Sequence, residues 1–105
     1  MQNNLFFFEP YQTTIEHLCK RYRITRLYAF GSVLTDSFGE ASDIDLLFEF
    51  ERTDDPITDG LRLWEFWNEV EEVLGRKVDF LENKTFENSY FNQVVHTQKS
   101  LIYAA

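Results

Sequence analysis

The sequence predicts an α+β (α/β-like) fold: a small mixed β-sheet of three or more strands packed with helices. Three observations predict it. Short β-prone runs alternate with longer segments whose apolar residues recur at helical spacing. The chain has 105 residues, which suits one domain over residues 1–105 and not two. Hydrophobic residues make up 44% of it, an ordinary share for a folded core despite the charge.

Residues 10–22 form the first predicted helix, because Tyr11, Ile15, Leu18 and Tyr22 recur at helical spacing. Lys20, Arg21 and Arg23 fall at its C-terminal end, where cations suit the helix dipole. The run from Arg26 to Gly31 is short, β-prone and closed by glycine, and reads as the first strand. Ser42 to Phe50 is the second strand. Its Ile44, Leu46, Phe48 and Phe50 share one face and form the candidate core side.

Asp54-Asp55-Pro56 marks a turn. Thr58 to Leu74 then reads as a long helix, with Leu63, Phe66, Trp67, Val70, Val73 and Leu74 as its apolar stripe and Gly75 as its C-cap. Lys77 to Leu81 is a third strand. Residues 86–99 read as a last helix, with Phe91, Val94 and Val95 apolar. Leu101-Ile102-Tyr103 either ends that helix or runs extended.

Composition narrows the function classes. The formal net charge is -8, so binding to a nucleic-acid backbone is not expected. One cysteine, Cys19, excludes an internal disulfide, and His17 and His96 are far apart, so a zinc site lacks ligands. The longest apolar run near the N-terminus is Leu5 to Phe8, far short of the ~20 residues of a membrane span. With no disulfide framework and no signal peptide, the expected location is cytoplasmic, without membrane attachment. Aromatics make up 17% of the chain. A small core accounts for many of them, and Phe6 to Phe8, Trp64 and Trp67 are candidates for an interface.

The charge is local. From Asp36 to Asp59 there are nine acids and a single base, Arg52, while the rest of the chain balances. Such a segment is either a solvated acidic loop or the surroundings of a cation. A motif inside it favours the cation. Phe30-Gly31-Ser32 is followed, after ten residues, by Asp43-Ile44-Asp45. Glycine at a strand end lets a ligand approach the backbone. The amides that follow, with the Ser32 hydroxyl, can bind phosphate oxygens. Asp43 and Asp45, two apart in a strand, leave it on one face and repel unless a cation neutralises them. Asp79 stands in an apolar run, where an acid needs a reason. With its strand beside that of Asp43 and Asp45, three carboxylates converge. Oxygen donors of that kind suit Mg²⁺ and phosphoryl or nucleotidyl transfer.

The motif resembles the Gly-Ser-x10-Asp-x-Asp signature of the DNA polymerase beta-like nucleotidyltransferase superfamily. Length and context resemble its minimal nucleotidyltransferase (MNT) domains, through Tyr28 to Ser32, Ser42 to Leu47 and Lys77 to Phe80. The resemblance runs from about residue 15 to the end. It implies the nucleotidyltransferase fold and the transfer of NMP, AMP from ATP foremost, to a hydroxyl. Gly31 and Ser32 would hold the triphosphate. Asp43, Asp45 and Asp79 would be the catalytic carboxylates and would bind Mg²⁺, as two ions. Asp79 would complete the metal site or deprotonate the attacking hydroxyl.

The family often carries Arg and Gly shortly after Gly-Ser, where this chain has Val33-Leu34-Thr35-Asp36. Asp36 can take the turn conformation that glycine favours. A cation from elsewhere, Lys84 for example, or from a partner would have to compensate. The chain has no room for an acceptor domain. Members of this family pair with HEPN proteins in toxin–antitoxin systems, so the resemblance implies an antitoxin that AMPylates a HEPN-family partner. The alternative is a catalytically weak module that neutralises such a partner by binding it. A homo-oligomer that builds the acceptor site between chains stays open.

Overall fold

The computed structural model describes residues 5–35, 38–84, 90, 92–93 and 98–105. Four strands form one sheet: β1 (Ile24–Phe30), β2 (Ile44–Phe50), β3 (Val78–Glu82) and β4 (Ser100–Ala104), in the order β3-β2-β1-β4. β1 pairs antiparallel with β2 and with β4, and β2 pairs parallel with β3. The sheet is therefore mixed. The parallel pair needs a crossover, and helix α2 (Pro56–Leu74) supplies it. Helix α1 (Gln12–Arg21) precedes β1.

Each boundary has a local cause. α1 begins later than residue 10 because Leu5–Tyr11, with Pro10 inside, winds as a 3₁₀ turn. Lys20 and Arg21 do fall in its last turn. α2 begins two residues before Thr58. Asp55 caps it by accepting from the Ile57 amide at 3.1 Å, and Pro56 takes a first-turn position that needs no N–H. It ends at Gly75, whose φ of 64° is left-handed. β2 begins at Ile44 and not at Ser42. The Ser42 amide donates to the Gly39 carbonyl, and the Ser42 carbonyl accepts from Arg76, so a turn consumes the groups a ladder would use.

The C-terminal expectation divides. Tyr90, Asn92 and Gln93 are helical, while Phe91, Val94, Val95 and His96 lie outside the described residues. Lys99 has left the helix, and residues 100–104 run extended as β4, which covers the second side of β1.

Both helices pack on one face of the sheet. Ile15, Leu18 and Cys19 of α1 and Phe66, Val70 and Leu74 of α2 meet Leu27, Ala29, Ile44, Leu46, Phe48 and Val78 in one core. The predicted apolar faces of β2 and α2 are therefore the buried ones. Burial holds the Cys19 thiol up at about 12, so it stays protonated and inert. The opposite face presents Tyr28, Asp45, Leu47, Asp79 and Leu81. Leu47 is fully buried there, because β1 and β3 flank it with Tyr28 and Leu81. Among the described residues, no helix is long and apolar enough to cross a membrane.

Candidate active site

The register of the sheet brings the site together. Asp45 stands opposite Asp79 on the parallel strand β3 and opposite Phe30 on β1. Phe30 is the last residue of β1, so the glycine after it turns the chain directly over Asp45. Gly31 has a φ of 73°, which favours glycine. A side chain there would also collide: an added Cβ would overlap Asp45 Oδ2 and lie 3.0 Å from its Cγ. Gly31 is required twice, by conformation and by contact. Ser32 follows in a short 3₁₀ turn (Gly31–Leu34), and its backbone amide donates to the Asp45 carboxylate.

Asp79 lies close enough to Asp45 to act on it by hydrogen bonding and by charge. The Asp45 carboxyl is pushed up to about 6. Burial is the main cause, followed by the hydrogen bond and charge of Asp79. Asp43 adds its charge, and the Ser32 amide pulls the other way. Asp43 lies just before β2 and acts on Asp45 through charge. Among the described residues, no three His, Cys, Asp or Glu side chains gather closely enough to cage a metal ion. The Asp45–Asp79 pair nevertheless fits a hard cation. Its carboxylates stand opposite each other in the register, and after burial the charges of Asp79 and Asp43 add to the raised proton affinity of Asp45, which a cation would relieve.

A cavity of about 400 Å³ opens beside the pair, lined by Phe30, Asp45, Trp67, Asp79, Phe80 and Leu81. Its walls are mostly apolar, with two carboxylates on one side, a composition typical of small-molecule sites. Trp67 reaches it from α2 and donates its indole N–H to the Val78 carbonyl at 2.8 Å. Glu71 accepts from the Val78 amide at 2.8 Å, so α2 holds the outer edge of β3 at the site. Phe30, Trp67, Phe80 and Leu81 were not evident as lining residues from spacing alone. Trp67 and Phe80 looked like core positions, and only the order of the strands puts them beside Asp79.

The positions after Ser32 have a structural explanation. Val33 and Leu34 are buried in the core, and Thr35 stands at the position where the family's pattern has Arg. Thr35 closes the turn by bonding the Ser32 carbonyl through its amide and hydroxyl, both at 2.9 Å. Asp36 lies outside the described residues. Lys84 does not supply the missing charge. It lies beyond the far end of β3, five residues from Asp79, or about 16 Å at strand rise. Two cations stand at the near end instead. Arg76 donates to the Gly39 and Ser42 carbonyls at 2.7 and 3.0 Å and stacks on Phe7 and Phe38. Lys77 is exposed, and its carbonyl accepts from the Ile44 amide, which sets it beside Asp43 in the register.

Known proteins resemble this chain in sequence and in fold. The family model described as the nucleotidyltransferase domain matches residues 12–103. A Methanocaldococcus jannaschii relative that carries the name of a protein adenylyltransferase is 32% identical over 84 residues, 79% of each chain. A solved structure named as a minimal nucleotidyltransferase superposes with a TM-score of 0.68 at 26% identity, over 98% of this chain and 96% of that one. A chain from the complex of tri-AMPylated Shewanella oneidensis HEPN toxin with MNT antitoxin superposes with a TM-score of 0.60. It is 22% identical, over 92% of this chain and 72% of its own, and shares the fold.

Proposed function

This chain belongs to the nucleotidyltransferase domain family, and from that premise we propose that it transfers AMP from ATP to a hydroxyl on a partner protein, with Mg²⁺. The partner is a HEPN-family protein, and this chain is its antitoxin. The observation that carries the reading is the Asp45–Asp79 pair under Gly31, at the mouth of an apolar cavity. The name of the adenylyltransferase relative and the AMPylated HEPN toxin in the structural neighbour support the choice of AMP and of acceptor.

Asp45 and Asp79 would hold Mg²⁺, with Asp43 adding its charge to the site. When bound, the ion would neutralise phosphate charge and make the acceptor hydroxyl more acidic. The chain's own residues do the rest. Gly31 lets the Asp45 carboxylate lie directly against the backbone, and the Ser32 hydroxyl and the neighbouring amides would bind the triphosphate oxygens. The attacking oxygen bonds to the α-phosphorus while the bond from that phosphorus to the pyrophosphate oxygen breaks. The hydroxyl proton passes to the Asp79 carboxylate, which is exposed on the open face. Phe30, Trp67 and Phe80 wall the site and exclude water from one side.

The test is direct. The chain, labelled ATP and Mg²⁺ are incubated with a purified HEPN-family protein from the same organism. Label appears on the partner and is lost with Asp43→Asn and Asp45→Asn. Equal labelling by the variants refutes the reading. One observation favours a second reading, neutralisation by binding alone: Thr35 stands where relatives of this motif carry Arg, and its hydroxyl bonds the Ser32 carbonyl. On that reading the double Asp→Asn variant still neutralises the partner.

A further inference from the structure

The outer face of α2 carries three large apolar side chains that the core does not use. Ile57, Leu61 and Trp64 are 75%, 58% and 60% exposed. The same helix buries Phe66, Val70 and Leu74 on its other side, so the exposed set is a second stripe and not a frayed part of the first. With Asn68, which is exposed and donates to the Trp64 carbonyl at 2.9 Å, the stripe steps by four, three and four residues. That is the spacing of a seam that packs along another helix. Glu65 and Glu72 are exposed beside it, and Asp54 is exposed before its N-terminal end. Beside Leu61 a concavity of about 350 Å³, bounded also by Arg21, Tyr22, Thr58, Arg62 and Glu65, gives the seam a socket; Arg62 is paired there with Asp59 at 3.2 Å and Arg21 lies 3.9 Å from Glu69, so Glu65 and Glu72 remain the charges that flank the stripe.

We propose that this face docks an amphipathic helix of the partner protein, apolar along its contact stripe and flanked by Lys or Arg. Charge selects that occupant over a second copy of this chain. A chain of net charge -8, with Glu65 and Glu72 along the seam, repels its own copy and attracts a basic-flanked helix. α2 lies on the core face of the sheet, and Asp45 and Asp79 lie on the other. The exposed stripe and the carboxylates therefore face different ways, although Trp67 of the same helix walls the cavity, and the acceptor hydroxyl comes from a different part of the partner or from another copy of it. The inference rests on the reading that the acceptor is a HEPN-family protein.

The experiment measures binding of that purified protein by calorimetry. Leu61→Glu and Trp64→Glu each weaken binding at least 30-fold. Leu101→Ser, a change at an exposed apolar residue on β4, alters it less than threefold. Mg²⁺–ATP binding and the melting temperature of all three variants stay at the wild-type values. Glu65→Lys with Glu72→Lys, which touches no apolar residue, also weakens binding. Wild-type affinity in the α2 variants overturns the proposal while leaving AMP transfer intact. A wild-type dimer that Leu61→Glu converts to monomer overturns it in favour of a second copy. Failure of the wild-type chain to bind or label the HEPN protein overturns the acceptor reading, and the docking proposal with it.

Discussion

Asp45→Asn stabilises the metal-free protein at neutral pH. The Asp45 carboxyl sits at about 6 against an ordinary value of 3.8. The ionised form is thus disfavoured in the folded state, by about 3 kcal/mol if each unit counts in full. Asp45 is only half-buried, and solvent screening reduces this to about 1–1.5 kcal/mol. Asparagine keeps the geometry, since its oxygen accepts from the Ser32 amide and its nitrogen donates to Asp79. The sign follows from linkage: a raised carboxyl pKa gives stability that is complete below about pH 4 and is lost as pH rises through about 6. With EDTA present, the variant melts roughly 5–10 °C above wild type at pH 7.5. The two curves converge at pH 4. Scanning calorimetry at both pH values measures this. A variant that is destabilised at pH 7.5, or whose advantage does not shrink toward pH 4, refutes the account of the carboxylate pair.

Gly31→Ala costs about 1–2 kcal/mol from the left-handed backbone alone, and the collision with Asp45 adds to it; a melting-temperature drop with loss of Mg²⁺–ATP binding is the expected readout. Trp67→Phe removes the donor to the Val78 carbonyl and destabilises by about 1 kcal/mol, measurable by urea unfolding. Lys77→Ala raises the KM for ATP about tenfold with little change in kcat, the size of one lost charge-assisted contact of ~1.4 kcal/mol, and Lys77→Arg restores it. Asp59→Asn lowers the melting temperature at pH 7, by an amount that shrinks as pH falls below about 4. Hydrogen bonds from Thr53 hold the Asp59 carboxyl below its ordinary value, so its stability is present above about pH 4 and is lost as pH falls through the lower folded value.

The elements that depend on local pattern were legible in the sequence. The β2 and α2 core faces follow from period two and period 3.6, and Gly31 follows from its place before Ser32. What pattern could not give is what lies beside what. The Asp45–Asp79 contact needs β3 parallel to β2, and nothing in Lys77–Leu81 states its neighbour. The aromatic candidates separate for the same reason. Phe8 is buried, Phe6 and Trp64 face solvent, and Trp67 lines the candidate site, although all four are aromatic residues in apolar runs. Leu47 looked solvent-facing by alternation and is buried because two strands flank it. β4 was ambiguous, since an apolar triplet after a helix carries no periodicity.

The acidic segment shows how one composition feature resolves into opposed physical roles. Asp55 caps α2. Asp59 is buried, accepts from the Thr53 amide and hydroxyl at 3.0 and 2.7 Å, and pairs with Arg62 at 3.2 Å. Arg62 in turn donates to the Tyr22 and Glu51 carbonyls, which ties the start of β1 and the end of β2 to α2. Glu49 accepts from Asn83 at 2.6 Å. Asp55 and Asp59 are stabilised as anions by the donors around them. Asp45 is the reverse, a carboxylate whose principal neighbour is another carboxylate and whose pKa moves up while those of Asp55 and Asp59 move down. The two directions separate structure from chemistry within one run of sequence. An acid whose partners are donors stabilises the fold at neutral pH, whereas an acid that destabilises it must be retained for something it binds.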